Sequence, residues 1–392
     1  MSTIYEKSLR KHSEWKGKLE IKLKEKLENE YDLSVAYTPG VAEPCRIISK
    51  DKREVYNYTW KGNTIAVITD GTAVLGLGDI GPEASLPVME GKCILLKEFG
   101  GVNAVPICLD TKDTEEIIAI CKAIAPTFGG INLEDISAPR CVEIERRLIN
   151  ELNIPVFHDD QHGTAIVVTA ALINSMKLTN KKPEELKVIV SGTGAAGSSI
   201  IRMLVKLGVK EIYGFNINGI IIKEDNEKYD FLTKELAEIV NLQMKRTTLV
   251  EEMVNSDVFI GVSAPRLLTK EMVSSMNKNP IIFAMANPEP EITYKDAIDA
   301  GAYIVGTGRS DFPNQINNVL AFPGLFKGAL ECRANKITEE MKMAAAIGIA
   351  SLISDNELKP EYVIPSPFDK RVAEIVANEV KKTSKMSIEK KQ

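Results

Sequence analysis

Lys187 to Leu207 reads KVIVSGTGAAGSSIIRMLVKL, and its reading decides the fold. The opening KVIVS is β-branched and apolar, as a buried strand requires. Gly192-Thr193-Gly194-Ala195-Ala196-Gly197 follows, and the residues from Ser198 onward repeat apolar side chains at helical spacing. A GxGxxG triplet alone is weak evidence, because glycine triplets occur in many turns. Set between a strand and a helix, it becomes a dinucleotide fingerprint, with a plain strand–turn–helix as the bland alternative. The first glycine permits the tight turn, the second lets the backbone approach a pyrophosphate, and the third lets the helix pack on the strand. The helix N-terminus then faces the phosphate charge.

Such a fingerprint expects an acid about 20 residues further on, bound to the ribose 2′-hydroxyl. Asn216 holds that place, in Gly214-Phe215-Asn216-Ile217-Asn218-Gly219. An amide can bond a hydroxyl, but it does not repel a 2′-phosphate as a carboxylate would. No arginine stands beside it, and Lys223 is the nearest cation. The expected cofactor is a nicotinamide dinucleotide, NAD or NADP, with a lean to NAD.

Outward from this unit the period stays regular. Strands are expected at residues 211–215, 258–262, 281–286 and 303–306, separated by helical segments. Strands alternating with helices imply a parallel sheet covered on both faces. Upstream, residues 164–176 read as a helix dense in Ala, Ile and Val, with a polar break at 181–185. The first 160 residues are also α/β, with strands at 64–69, 103–109 and 154–157 and polar clusters at the strand exits. The expected organisation is an N-terminal α/β substrate and metal domain over 1–160. A Rossmann-like, doubly wound dinucleotide-binding domain with C-terminal helices would fill 161–392. Residues 3–29 read as one exposed helical arm, of a kind that packs on a neighbouring subunit or simply stays solvated. Residues 31–40 read as irregular chain, and the tail from Lys381 as frayed.

Composition narrows the function classes. The 392 residues are 44% hydrophobic and 26% charged, with a formal net charge of -5, ordinary for a globular chain. That balance gives no reason to expect nucleic acid or an anionic membrane as partner. No run approaches the roughly 20 apolar residues of a membrane span, and residues 343–353 read as a buried helix. The first thirty residues are rich in Lys and Glu and contain no apolar signal core. Six cysteines without a close CxxC pair read as reduced, buried thiols. The expected compartment is the cytoplasm.

Three carboxylates sit at strand exits: Glu134 and Asp135 in INLEDISAPR, and Asp160 in FHDDQHGTA. Oxygen ligands of this kind suit a hard cation, Mg²⁺ or Mn²⁺, rather than zinc. Only three histidines occur, which counts against a His-rich metal site. Singly, each acid is more often a helix cap or a solvated charge. Adjacent Asp159 and Asp160 in an apolar frame are harder to explain that way, since like charges repel. Lys92 lies in a helix that otherwise faces the core. It is either a snorkelling side chain or a buried amine of lowered pKa able to act as a base. Tyr37 likewise reads alone as a packed loop aromatic. Composition and spacing cannot choose between these readings.

At this point a resemblance bears on the choice. From about Tyr31 to Arg333 the chain resembles the small, bacterial-type malic enzymes. The match is carried in order by SVAYTPGVAEPC, TDGTAVLGLGDIGPEASLPVMEGK, FGGINLEDISAPRC, PVFHDDQHGTAIV, SGTGAAG, FAMANPEPEI and TGRSDFPNQINNVLAFPG. The resemblance implies oxidative decarboxylation of malate to pyruvate with a nicotinamide cofactor and a divalent cation. It implies Tyr37 as general acid, Lys92 as general base, and Glu134, Asp135 and Asp160 as metal ligands with Asp159 supporting them. Asn287, Asn317 and Asn318 would contact substrate and nicotinamide, and a homodimer would be the assembly.

Two departures stand out. Larger members place an arginine for the substrate carboxylate just before LGLGD, where this chain has Gly71-Thr72-Ala73-Val74. The family's second strand commonly ends in an acid, which Asn216 replaces. By the same reading, the acyltransferase-like extension of some relatives is not expected here. Malolactic conversion of malate to lactate could share every residue named, and a catalytically silent dinucleotide or malate sensor is the rival from another class. The complete set of amine, phenol and acids argues against the sensor.

Overall fold

The structure, a computed structural model, describes residues 3–74 and 76–389. Thr3 and Glu6 form a capping box on α1 (Ile4–Trp15), in which no residue is buried. The expected single arm helix ends there because Lys16 (φ 52°) and Gly17 (φ 106°) turn left-handed. A second helix, α2 (Glu30–Ala36), occupies part of the stretch expected to be irregular. The Asn29 side chain caps it, and Glu30 and Asp32 fill its first turn, a local start signal that the following Thr38-Pro39-Gly40 had obscured. Neither α3 (Ala42–Lys50) nor α4 (Val55–Tyr58) contains a buried residue.

The first sheet begins with β1 (Thr64–Thr69), buried throughout. It continues through α5 (Pro82–Gly100), β2 (Asn103–Cys108), α6 (Thr114–Ile124), β3 (Gly130–Leu133), α7 (Arg140–Glu151) and β4 (Val156–His158). The strands are parallel in the order β2-β1-β3-β4. TIAVIT is continuously apolar because both faces are covered. Ile65 and Val67 face α5 through Met89 and Leu96, while Ala66 and Ile68 join Ile117 and Leu148 of α6 and α7.

The 21-residue α8 (Asp159–Thr179) connects the two sheets and is buried along almost its whole length. It starts five residues earlier than its apolar run suggests. The His158 side chain accepts the Gln161 N–H and caps it, so Asp159 and Asp160 form its first turn. Beyond it come β5 (Lys187–Ser191), α9 (Ala195–Leu207), β6 (Glu211–Asn216), β7 (Gly219–Ile220), α10 (Phe231–Ala237) and α11 (Leu249–Met253). β8 (Val258–Gly261), α12 (Lys270–Ser274), β9 (Ile281–Ala284), α13 (Tyr294–Asp299) and β10 (Ile304–Thr307) complete the alternation. The sheet runs β10-β9-β8-β5-β6-β7, parallel except for the short β7. The winding reverses beside β5, and the crevice at such a reversal is where α/β sheets take ligands.

Three helices close the chain: α14 (Phe322–Glu331), α15 (Glu339–Ser351) and α16 (Arg371–Glu389). One apolar core joins them to α5, α8, α9 and strands of both sheets. The tail expected to fray from Lys381 is helical through Glu389, and its last three residues lie outside the described ones. Cys93, Cys121 and Cys141 are buried and free as expected, whereas Cys108 and Cys332 are half-buried. Cys45 is exposed, on α3, which holds no buried residue. Among the described residues, no helix is long and apolar enough to cross a membrane.

Candidate active site

Strand exits of both sheets open on one cleft of about 580 Å³, whose lining includes Asp135, Asp160, Ala195, Asn287, Asn317 and Asn318. On the first sheet, β3 delivers Glu134 and Asp135. Asp135 adopts a left-handed backbone (φ 53°), and its N–H donates to Asp160 Oδ2 at 2.8 Å. One potential ligand atom from each of Glu134, Asp135 and Asp160 lies within 4.8 Å of the others. Three oxygens converging at the mouth of a desolvated cleft are the donor set a hard divalent cation takes. Asp159 Oδ1 is also buried there without a hydrogen-bond partner. The residues present therefore fit Mg²⁺ or Mn²⁺.

Lys92 reaches this cluster from α5. Its Nζ lies 2.8 Å from Glu134 Oε1 and 2.6 Å from Asp159 Oδ2, and 4.9 Å above the Phe322 ring. The snorkelling alternative fails, since the side chain is only 12% exposed. The expectation of a lowered pKa also needs correction. Burial pushes the amine down, but the carboxylates of Asp159, Glu134 and Asp160 outweigh it and hold it above its ordinary range. Glu134 moves up, through burial and the crowding of Asp160, Asp159 and Asp135 against the pull of Lys92. Asp159 moves up mainly through burial. The carboxylates outnumber the ammonium, which is the electrostatic condition a cation relieves.

The same Asp159 Oδ2 accepts Asn318 Nδ2 at 2.5 Å. Asn317 Oδ1 accepts the Val319 N–H and so shapes the turn that presents Asn318. Asn287 lines the cleft with its Nδ2 donating to Met285 O at 3.1 Å. All three predicted amides thus meet at one place.

The dinucleotide turn behaves as its sequence predicts. Gly192 has φ 92°, and a Cβ on Gly197 would lie 1.7 Å from Gly192 O, so only glycine lets α9 sit this close to its strand. Gly194, the residue before α9, has nothing within 4 Å of the place a Cβ would take. Its open side adjoins Ala195 and Ala196, which line the cleft, while Thr193 is buried. The α9 N-terminus has no side-chain cap, leaving its N–H groups for an anion. Asn216 ends β6, with its Oδ1 accepting the Asn218 N–H at 2.8 Å. Lys223 turns instead to Glu238 at 2.6 Å.

Tyr37 is not brought to the cluster within one chain. It follows α2, is 66% exposed, and is absent from the cleft lining. Its hydroxyl has no hydrogen-bond partner among the described residues. Large apolar side chains earlier in the N-terminal segment are exposed too, among them Tyr5, Leu9, Ile21, Leu23, Tyr31 and Val35.

Two contributors escape sequence reading. Asn132 donates to Glu134 Oε2 at 2.9 Å, and its signal was the two-residue spacing that puts both on one face of β3. Glu145 of α7 accepts the His158 N–H at 2.8 Å and lies 2.8 Å from His162 Nε2, fixing the start of α8 from a distance no local pattern reveals. Burial tends to raise its pKa, but His162, Lys342 and His158 bring it down to about 2. The arginine nearest the missing carboxylate partner, Arg140, spends its donors on Asp70, Thr72, Ser137 and Lys112 O.

Residues 16–149 match the malic enzyme N-terminal domain, and residues 161–385 match the malic enzyme NAD binding domain. A Bacillus subtilis bifunctional malic/malolactic enzyme is 56% identical over 97% of this chain and 93% of its own length. An NAD-dependent malic enzyme of Geobacillus stearothermophilus is 54% identical over 93% of this chain and 76% of its own. The crystal structure of an NAD-dependent malic enzyme from Thermotoga maritima superposes with a TM-score of 0.92 at 48% identity, covering 95% of this chain and 98% of that one. With both halves matched in order, and all the expected acid–base and acidic residues but Tyr37 gathered at one cleft, this chain belongs to the malic enzyme family of nicotinamide-dependent oxidoreductases.

Proposed function

We propose that the chain oxidises and decarboxylates (S)-malate to pyruvate and CO₂, reducing NAD(P), with Mg²⁺ or Mn²⁺ held by Glu134, Asp135 and Asp160. The observation that carries this reading is the position of Lys92 Nζ between Glu134 and Asp159, beside a cleft the dinucleotide turn also lines. Lys92 takes the C2 hydroxyl proton as hydride leaves C2 for the nicotinamide ring. Asp159 and Asn318 orient the amine for that step, and Asn287 and Asn317 hold substrate and nicotinamide. The cation, when bound, polarises the C2 oxygen and stabilises the enolate left by loss of CO₂. The Tyr37 hydroxyl then protonates C3; assistance of this kind is worth about 10²–10⁴-fold.

Tyr37 reaches the reaction from a second copy of the chain. An arm with no buried residue and many exposed apolar ones fits a homodimer interface, and the cleft of one chain lacks a phenol. In this reading residues 1–160 supply the acid–base and cation groups and residues 161–392 the cofactor site. Asn216, with no free cation beside it, favours NAD over NADP. The protein works in the cytoplasm on a small-molecule substrate, without nucleic acid or membrane.

A second reading is malolactic conversion, favoured by the likeness to the Bacillus subtilis bifunctional malic/malolactic enzyme. Absorbance at the NADH band with malate, Mn²⁺ and each cofactor in turn decides between them. Sustained NADH formation supports the malic reaction; lactate without net NADH supports the other. Neither product would reject both.

A further inference from the structure

The acid–base and cation groups do not account for Glu291. Its side chain is fully buried at 0% exposure, and no cation pairs with it among the described residues. Its Oε1 accepts the Ser263 N–H at 3.0 Å, and its Oε2 accepts the Ala286 N–H at 3.0 Å. Ser263 lies two residues beyond β8 and Ala286 two beyond β9, where backbone donors have run out of strand partners. Buried donors left without an acceptor are costly. One carboxylate therefore ties together two adjacent strand exits.

The sequence makes room for it. A Cβ on Gly261 would fall 2.3 Å from Glu291 Cδ, so the strand residue beneath the carboxylate must be glycine. The tie then extends further. Ser263 Oγ lies 3.0 Å from Ser191 Oγ, at the end of β5. A Cβ on the next residue, Gly192, would lie 2.5 Å from Val262 O. On the other side, Ala286 leads directly into Asn287. Val262, Ser263, Ala286 and Asn287 all line the cleft.

We propose that Glu291 is a positioning residue for the cofactor: its carboxylate fixes the loops after β8 and β9 in the shape that receives the nicotinamide half of the dinucleotide. The inference rests on the cofactor reading above and deepens it. A carboxylate is required because both terminal atoms must accept. Glutamine offers one acceptor and one donor, so one of the two N–H groups would face an NH₂.

The test is Glu291→Gln in the full chain. NADH affinity is read by its fluorescence without malate or metal, and Mn²⁺ affinity separately by electron paramagnetic resonance. NADH affinity should fall at least fivefold, with Mn²⁺ affinity within twofold of native. A smaller fall in NADH affinity would overturn the proposal, as would a parallel loss of Mn²⁺ binding, which marks general loosening. Should Glu291→Gln fail to fold, Ser263→Ala cuts the link to Ser191 and leaves the backbone donor in place. A threefold or greater loss of NADH affinity is then expected, and a lesser one overturns the assignment. Failure of the native chain to bind NADH would instead bring down the cofactor reading itself.

Discussion

Asp159 and Lys92 meet at 2.6 Å, one from the first turn of α8 and the other from mid-α5. The same carboxylate oxygen also takes the Asn318 amide. Asp159→Asn removes the charge that orients the amine while keeping the size of the side chain. Turnover with malate should fall about 10²-fold or more, with far-UV circular dichroism unchanged. Turnover within threefold of native would remove Asp159 from the machinery.

Lys92→Ala should nearly abolish malate oxidation. It also strands Glu134 and Asp159 without a countercharge in a buried place, a loss of about 3–5 kcal/mol for a broken buried pair. Denaturant melts should show this cost, and Mn²⁺ should recover part of it by binding the folded state. Near-native turnover in this variant would show that the base lies elsewhere.

Asp160→Ala removes one of three converging oxygens. The Mn²⁺ concentration for half-maximal activity should rise by orders of magnitude, while NADH binding measured without metal stays close to native. An unaltered metal titration would exclude Asp160 as a ligand.

Tyr37→Phe should slow pyruvate enol protonation. If Tyr37 acts across a dimer, Tyr37→Phe and Lys92→Ala chains mixed under subunit exchange should regain up to about a quarter of native activity, because half the mixed dimers' sites are intact. No recovery on mixing, with exchange verified by mass, would place Tyr37 in its own chain's site or outside the reaction.

Glu145 supplies a pH dependence of stability. Its folded pKa, about 2, lies below the ordinary value, so its contribution is complete above the unfolded pKa near 4.5 and is lost as pH falls toward 2. The slope of unfolding free energy in that window carries up to one proton, about 1.4 kcal/mol per pH unit. Glu145→Gln should flatten it by that amount in acid titrations followed by denaturant. A slope identical to native would show that Glu145 does not hold its charge against His162 and Lys342.

Much of this was legible beforehand because it is written in local patterns. KVIVS and its glycine turn fix strand, bend and helix within a single unit, and the acids after β3 and β4 announce themselves as charges in an apolar frame. What escaped depends on distant neighbours. The direction of the Lys92 pKa was misjudged because burial is legible in an apolar helix, whereas the count of carboxylates around the amine is a tertiary fact. The α1 arm was read too long because its alternating charges continue past the left-handed residues Lys16 and Gly17. Glu291 sat within a quoted motif, yet its two N–H partners come from different strands, and no spacing in one dimension predicts that. Tyr37 shows the strongest limit, since its motif is local and yet the fold of one chain leaves it exposed and outside the cleft lining.

The length and burial of α8 carry a consequence for how the protein can diverge. Its first turn holds Asp159 and Asp160, while its body is packed against α9, the helix that opens at the glycine turn. A shift of the cofactor helix therefore drags the carboxylates with it, and drift at the glycine turn would degrade chemistry along with binding. On the proposed reading of Asn216, coenzyme choice is retuned where the frame ends, beside the wholly exposed Ile217. A change of redox partner would begin at that hairpin tip, leaving the core as inherited.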